Sequence, residues 1–231
     1  MTMPKEDTNT ARVRRGLENP NASVRLRAAL AAGTPPDPRL IDALVERCGT
    51  EPDFSVREML TWALVRHPAS ATVPRLVEEL RSPLPQARGQ ALHTLSKTGD
   101  RRAWPAITRE LLADADEEVA RSAWRAAVVL VPEAEKTVLG EALVTQLGRG
   151  ERETQSSLSR ALIALGEAST PLLRAAMTDD AGPDVRRHAI TTERLRRDPD
   201  AGFARAIEEA KRVVALGDYG KVAPGTYGKK G

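Results

Sequence analysis

Apolar residues recur along the chain at intervals of about 31 to 32 residues. The position held by Val24 is filled again by Val56, Ala87, Val119 and Val185, and a degenerate copy is found in RETQSSLSRALIALG. A small or apolar residue follows four positions later, at Ala28, Leu60, Ala91, Ala123 and Ala189. Residues four apart share one face of a helix, so each copy predicts one amphipathic helix.

A different helix type alternates with these, marked by apolar pairs one turn apart. Its first copy reads Leu40-Ile41 with Leu44-Val45, and its later copies begin near Leu76, Val138 and Leu172. Proline tolerates the first turn of a helix, so we expect these helices to open at Pro38, Pro74, Pro105 and Pro171. Asp37 and Thr170 are the expected caps. In total, the pattern predicts about twelve or thirteen helices of 9 to 14 residues.

Neither helix type buries its apolar stripe alone, so the pairs are expected to stack. We predict an all-α fold, a right-handed α-solenoid of about six helical hairpins over residues 10–216. Residues 1–9 are predicted to be a flexible N-terminus. Residues 217–231 are predicted to be a Gly-, Lys- and Tyr-containing tail that either caps the last repeat, recognises a partner or is disordered.

The paired pattern resembles HEAT repeats, especially the short bacterial kind similar to phycobilisome-lyase repeats. The features that carry the resemblance are the proline-opened first helix and the Asp-x-x-Val-Arg start of the second helix, as in DFSVREMLTWAL. Ala120 departs from the pattern, because it replaces the arginine in the fourth copy. The resemblance implies the solenoid fold and also a ladder of Asp and Arg between repeats.

Arginines at the repeat position have two competing interpretations. Arg25, Arg57, Arg88 and Arg186 are equivalent, and Asn21 and Asp53 lie four residues before the first two. Each arginine is therefore expected to bond to its own loop or to the neighbouring repeat. The alternative is a row of cations that faces an acidic partner. Arg27 differs between copies, so it is the better candidate for contact with solvent or a partner.

Composition narrows the functional classes. Of the 231 residues, 41% are hydrophobic but only 3% are aromatic, which favours helices. The single Cys48 excludes an intrachain disulfide and is predicted to be a buried thiol. No segment is apolar enough to span a bilayer or to act as a signal peptide, so we expect a cytoplasmic protein with no membrane partner.

Basic residues concentrate at the ends of the chain. Residues 186–231 carry 11 basic and six acidic groups, including the run RLRR, although acidic residues interspersed there favour an ordinary solvated face. In the tail, Tyr227, Lys229 and Lys230 form a candidate recognition motif. These features leave nucleic-acid binding open as an alternative.

The sequence shows no pattern typical of a catalytic or metal site. His67, His93 and His188 have no metal-ligand spacing, and His67 is expected to lie at a helix C-terminus. The His-Glu pairs that mark deoxyhypusine hydroxylases, which are HEAT-like enzymes, do not occur. We therefore predict a non-enzymatic protein without a cofactor or metal.

The tryptophans Trp62, Trp104 and Trp124 are expected to fill gaps in an alanine-rich core. The alternatives are a patch that stacks on a base, as in HEAT-like alkylpurine DNA glycosylases, and a protein-binding hot spot.

The favoured function is a monomeric scaffold or adaptor that binds a protein partner through the concave face of its helices. The candidate contact residues are Arg27, Arg57, Arg88, Trp62, Trp124, Arg125, Arg186, Arg187, Tyr227, Lys229 and Lys230. The alternatives are a nucleic-acid-binding module and, by family analogy alone, a bilin-lyase-like protein.

Overall fold

Thirteen α-helices form in the computed structural model, which describes residues 5–178 and 180–219. The first eight are α1 Lys5–Leu17, α2 Ala22–Ala32, α3 Ile41–Thr50, α4 Phe54–Arg66, α5 Ala69–Glu79, α6 Pro85–Thr98, α7 Arg109–Leu112 and α8 Glu117–Leu130. The others are α9 Lys136–Val144, α10 Arg152–Ala164, α11 Thr170–Ala176, α12 Pro183–Arg197 and α13 Phe203–Tyr219. Five short 3₁₀ helices lie between them: Pro38–Leu40, Arg101–Ala106, Glu133–Glu135, Gly166–Ser169 and Pro199–Ala201. No β-strand forms within the described ranges, and the all-α prediction is confirmed.

The helices form two compact units, divided between Lys136 and Thr137. In the first unit, α1 packs on α2, α3 on α4, α5 on α6 and α7 on α8. The second helices of these pairs pack in sequence, α2 on α4, α4 on α6 and α6 on α8. In the second unit, α10 and α11 pack on α12, and α13 covers α12. Each unit is therefore a stack in which helices bury their apolar stripes on their neighbours.

Small residues allow these helices to approach closely. Ala29, Ala63 and Ala91, on three successive second helices, are all buried. On α3, a Cβ atom added to Gly49 would lie 2.9 Å from the Cβ of Ala87 on α6. Burying one leucine-sized side chain contributes roughly 1.5 to 3 kcal/mol, so fully buried leucines such as Leu44, Leu64 and Leu95 contribute strongly to stability.

Some helix starts differ from the predicted ones. Asp37 caps the helix at Pro38, and Pro171 lies in the first turn of α11, as expected. Pro74 instead lies inside α5, which begins five residues earlier at Ala69. The carbonyl of Ser70, which the proline leaves without its helical donor, belongs to an exposed residue that water can reach.

Four further boundaries also differ. Pro105 lies inside the 3₁₀ helix Arg101–Ala106 and does not start an α-helix. Thr170 is the first residue of α11 and not its cap, because the chain is already helical at Ser169. Helix α1 begins at Lys5, within the segment predicted to be flexible, and α13 continues to Tyr219, past the predicted end at residue 216. The rest of the tail lies outside the described residues.

Candidate protein-binding face

Arg25 is the first of the repeat arginines, and its guanidinium forms hydrogen bonds to two parts of the chain. Its Nη1 donates to the carbonyl oxygens of Asn19 and Pro20 at 2.9 and 2.8 Å, in the loop before its own helix. Its Nε and Nη2 each donate to a carboxylate oxygen of Glu51, both at 2.7 Å, in the loop after α3. A bidentate pair of this kind is strong and geometrically specific. Arg25 therefore ties together two neighbouring helix pairs.

The carboxylate in this contact is held ionised. Burial of Glu51 opposes its charge, but the bonds from Arg25, the Asp53 N–H and Arg47 outweigh burial and lower its pKa to about 2. Asn21 and Asp53, expected as possible partners of the arginines, instead cap α2 and α4 by accepting from the N–H groups of Ser23 and Val56. The ladder interpretation is thus right for Arg25, with a different acidic partner.

Arg88 repeats the arrangement of Arg25. Its Nη1 donates to the Ser82 carbonyl at 2.9 Å, and its Nε and Nη2 donate to the two carboxylate oxygens of Asp114 at 3.0 and 3.1 Å. Both edges of the guanidinium are occupied within the fold. Arg88 is therefore a structural residue, and its assignment as a partner contact is corrected.

Arg57 has only the first half of these contacts. Its Nη1 donates to the carbonyl oxygens of Glu51 and Pro52, both at 2.9 Å. Its guanidinium carbon lies 5.8 Å from the centre of the Phe54 ring, and that ring is 68% exposed. Across residues 5–178 and 180–219, no carboxylate forms an ion pair with Arg57.

An apolar surface patch surrounds Trp62, which is 37% exposed on α4. A Cβ atom on Gly33 would lie 2.5 Å from the Trp62 ring, so the ring rests directly on the backbone at the end of α2. The guanidinium carbon of Arg66 lies 5.0 Å from the ring centre, and Arg66 Nε donates to the Gly33 carbonyl at 2.9 Å. Leu30 and Val65 are 46% and 40% exposed, and they lie three residues before Gly33 and three residues after Trp62. We call Leu30, Trp62, Val65 and Arg66 the Trp62 patch.

Trp124 does not belong to this surface. It is fully buried on α8, and its Nε1 donates to the Leu112 carbonyl at 2.8 Å. The core interpretation is right for Trp124, and its assignment as a partner contact is wrong. Trp104 is half-buried in the 3₁₀ helix Arg101–Ala106, and its Nε1 donates to Glu135 at 2.8 Å.

The other candidate arginines lie on second helices. Arg27 and Arg125 are exposed, on α2 and α8. Arg186 and Arg187 are half-buried on α12, where Arg187 pairs with Asp184 at 2.6 Å. The predicted tail contacts Tyr227, Lys229 and Lys230 lie outside the described residues.

A groove of about 350 Å³ crosses the start of α6. It runs from Arg57 on α4, past Gln86, Gly89 and Gln90 on α6, to Asp116 and Glu118 at the start of α8. Gly89 forms an open part of the groove, because a Cβ atom there would meet no atom within 4 Å. Sequence inspection missed the groove, yet Gly89 was a visible signal, since the equivalent positions hold Leu26, Glu58 and Arg121.

A second groove, of about 410 Å³, lies within the second unit. Apolar side chains of Ile163, Leu195 and Phe203 line much of it, and Arg160 contributes a charge. Its surface is less polar than that of the α6 groove, so it is suited to an apolar group.

The buried titratable groups serve the fold. His188 Nδ1 accepts from the Gly148 N–H at 3.0 Å, and Nε2 lies 2.9 Å from the Gln155 carbonyl, to which it donates. Burial lowers the pKa of His188 to about 4, so the ring is neutral at pH 7. Cys48 is buried as expected, and burial raises its pKa to about 12.

His67 is the C-cap residue of α4, as predicted. Its two ring nitrogens lie 2.8 and 3.1 Å from the carbonyl oxygens of Ala63 and Asp37. Among the described residues, no group of three or more His, Cys, Asp or Glu side chains is arranged to hold a metal ion.

The basic run near the C-terminus is largely neutralised by neighbours. Arg196 and Arg197 bond to the buried Glu193 at 2.9 and 2.8 Å, and Arg194 bonds to Glu209 at 2.7 Å. Positive charge that is paired locally attracts phosphate less strongly than a bare basic stripe.

No helix in the described ranges has the length and apolar character needed to cross a membrane.

Comparison with known proteins supports the repeat pattern. Residues 50–129 match the family model of HEAT repeats. No curated protein sequence matches the chain. Among solved structures, the karyopherin Kap121p bound to the extreme C-terminus of the protein phosphatase Cdc14p is similar, with a TM-score of 0.60 and 18% identity. That match covers 95% of this chain and 26% of the karyopherin chain, so this chain spans about a quarter of its length.

An engineered protein is also similar, with a TM-score of 0.50 and 19% identity over 90% of this chain and 97% of the other. Together with the helix pairs, these matches confirm the predicted resemblance and fold class.

Proposed function

We propose that this HEAT-repeat chain is a non-enzymatic scaffold or adaptor that binds a protein partner through the face formed by its second helices α2, α4, α6 and α8. The observation that carries the proposal is the Trp62 patch. Trp and Arg are enriched among the residues that dominate protein–protein binding energy. Here the Arg66 guanidinium stacks on the solvent-exposed ring of Trp62.

The way in which the patch is held supports the same proposal. Trp62 is fixed by contact with Gly33, and Arg66 is fixed by its bond to the Gly33 carbonyl. Both side chains are therefore ordered before a partner arrives, which lowers the entropy lost on binding. In the similar karyopherin structure, the partner is the C-terminus of another protein.

Charge favours a protein over a nucleic acid as the partner. The formal net charge of the chain is only +3, and four arginines of α12 are engaged in ion pairs: Arg187, Arg194, Arg196 and Arg197. The nucleic-acid alternative predicts retention on DNA or RNA that falls steeply with salt. The bilin-lyase analogy, the cytoplasmic location and the monomeric state stay predictions.

Affinity capture of the full chain tests the proposal. We expect Trp62→Ala to reduce the affinity for the captured partner by about 30-fold, since a hot-spot tryptophan contributes about 2 kcal/mol or more to binding. Trp104→Ala is the matched control, because Trp104 is a part-exposed tryptophan of the 3₁₀ helix outside this face. The thermal unfolding midpoint of each variant shows whether a loss of partner capture is caused by unfolding of the variant. Equal capture by wild type and Trp62→Ala would contradict the proposal.

A further inference from the structure

The repeat arginine binds a carboxylate in the first and third helix pairs, α1–α2 and α5–α6. In the second pair, α3–α4, it has no carboxylate partner among the described residues. Arg25 holds Glu51 and Arg88 holds Asp114, each acid being 26 residues after its arginine. All three arginines donate Nη1 to the carbonyl oxygen six residues before them. Arg57 is thus positioned like the others, but its Nε and Nη2 make no hydrogen bond or ion pair within the described residues.

A serine explains why Arg57 has no acidic partner. Glu51 accepts from the Asp53 N–H at 2.9 Å, and Asp114 accepts from the Asp116 N–H at 2.9 Å. Ser82 Oγ makes the same turn bond, accepting from the Leu84 N–H at 3.3 Å. Ser82 therefore occupies the position of the two acids. It supplies the turn bond but no charge for the guanidinium.

Arg57 lines the groove across α6. Arg57 Nη1 and Gln86 Nε2 both donate to the Glu51 carbonyl at 2.9 Å, which fixes the guanidinium beside the first turn of α6. Further along the groove, Gln90 Oε1 is buried and accepts no hydrogen bond from the described residues. The Gln90 side chain is one of the polar groups that line the groove.

We propose that Arg57 binds the side-chain carboxylate of an aspartate or glutamate in an extended segment of the protein partner, with the segment crossing α6 over Gly89. The inference rests on the proposed function and names the chemistry of that partner. A planar carboxylate matches the guanidinium edge, and the same edge holds carboxylates at Arg25 and Arg88. The far end of the groove carries Asp116 and Glu118, so it disfavours a polyacidic run or a doubly charged phosphate.

The test uses the full chain labelled with ¹⁵N-arginine, and acetate as the probe. Sodium acetate is expected to shift the Nε–H resonance of Arg57 in a saturable way, in the millimolar range, beyond the effect of sodium chloride at equal ionic strength. Arg25 and Arg88 serve as internal references, because their carboxylates are already in place. No selective shift at Arg57, or a larger shift with inorganic phosphate than with acetate, would overturn the assignment.

Ser82→Asp supplies the missing acid from within the chain. We expect it to abolish the acetate response of Arg57 and to raise the thermal midpoint. Ser70→Asp is the matched control, since Ser70 is an exposed serine on α5. Arg57→Lys keeps the charge without the planar edge, and the resonance that it removes from the spectrum identifies the Nε–H of Arg57. A Ser82→Asp protein that still responds like wild type would contradict the proposal.

The acetate experiment at Arg57 and the capture experiment with Trp62→Ala can fail independently of each other. Loss of partner capture in Trp62→Ala without an acetate response at Arg57 would remove only the carboxylate site. An acetate response with no effect of Trp62→Ala would instead remove the proposed face and leave Arg57 as an anion site.

Discussion

Arg25 and Arg57 occupy equivalent positions but have different electrostatic surroundings. Arg25 is buried and paired with a buried acid, whereas Arg57 is half-buried and, within the part of the chain that the structure describes, donates hydrogen bonds only to carbonyl oxygens. Removing one member of a buried pair leaves the other charge without compensation, and this costs more than losing a hydrogen bond at the surface.

We expect Glu51→Gln to reduce the free energy of unfolding by about 3 kcal/mol, because Arg25 then stays buried without a carboxylate. Arg57→Gln is expected to reduce it by about 1 kcal/mol, the amount typical of ordinary hydrogen bonds. Urea unfolding of both variants measures the difference. Equal losses of unfolding free energy would show that Arg57 contributes as much to stability as the Arg25–Glu51 pair.

His188 predicts a pH dependence of stability. Its pKa is about 4 in the folded chain, below the value near 6.5 of an unfolded histidine. The unfolded state therefore binds the proton more readily, and stability present above pH 6.5 is lost as the pH falls towards 4. The loss attributable to His188 is about 3 kcal/mol at most.

Urea midpoints at pH 7.5, 6.5, 5.5 and 4.5 measure this loss. His188→Gln should be less stable at pH 7.5, yet its midpoint should decline less between pH 6.5 and 4.5. If the urea midpoint of the variant declines with pH as steeply as that of the wild type, a group other than His188 causes the pH dependence.

The register of the repeat decides which tryptophan is exposed. Trp124 is equivalent to Ala29, Thr61 and Leu92, all buried, whereas Trp62 is equivalent to Leu30, His93 and Arg125. One residue of offset turns a side chain by about 100° around a helix. Grouping the two tryptophans was therefore wrong, although counting the repeat would have separated them. The bond between Arg25 and Glu51 was harder to predict, because it joins residues in different pairs.

At the scale of helices, α6 begins differently from its neighbours. Asn21, Asp53 and Asp116 cap α2, α4 and α8, but Leu84 at the start of α6 makes no side-chain cap bond. The first N–H groups of α6 thus lack the side-chain acceptor that α2, α4 and α8 have.

Replacing Leu84 with asparagine should supply that acceptor. Leu84→Asn is expected to stabilise the chain by about 1 kcal/mol, because Leu84 is half exposed and little apolar burial is lost. Asp116→Ala is the reciprocal control and should cost a similar amount. Thermal unfolding measures both changes, and a destabilised Leu84→Asn would mean that Leu84 makes a contact of its own.

Helix existence was predictable, but several starts were not. The apolar period fixes which segments are helical, whereas a proline is compatible with a first turn, a 3₁₀ helix or an exposed position inside a helix. Pro171 and Pro74 show the first and last of these outcomes. Local propensity alone does not choose between them.

At the scale of the whole chain, the repeat predicted the fold but not its division into two units. The division follows the fourth pair, in which Ala120 replaces the repeat arginine, and precedes the degenerate fifth copy at α10. The ladder is therefore interrupted where the units divide. A weakened repeat motif was the signal in the sequence for this boundary.

The central claim is that a protein partner contacts the face of the second helices, and photo-crosslinking tests it most directly. A photoreactive amino acid would replace Leu30, which is exposed on α2, or Glu46, which is exposed on the first helix α3. We predict that position 30 forms a discrete crosslinked species with a protein partner and that position 46 does not. Crosslinking to the same partner from position 46 alone, or from neither position while capture persists, would contradict the account.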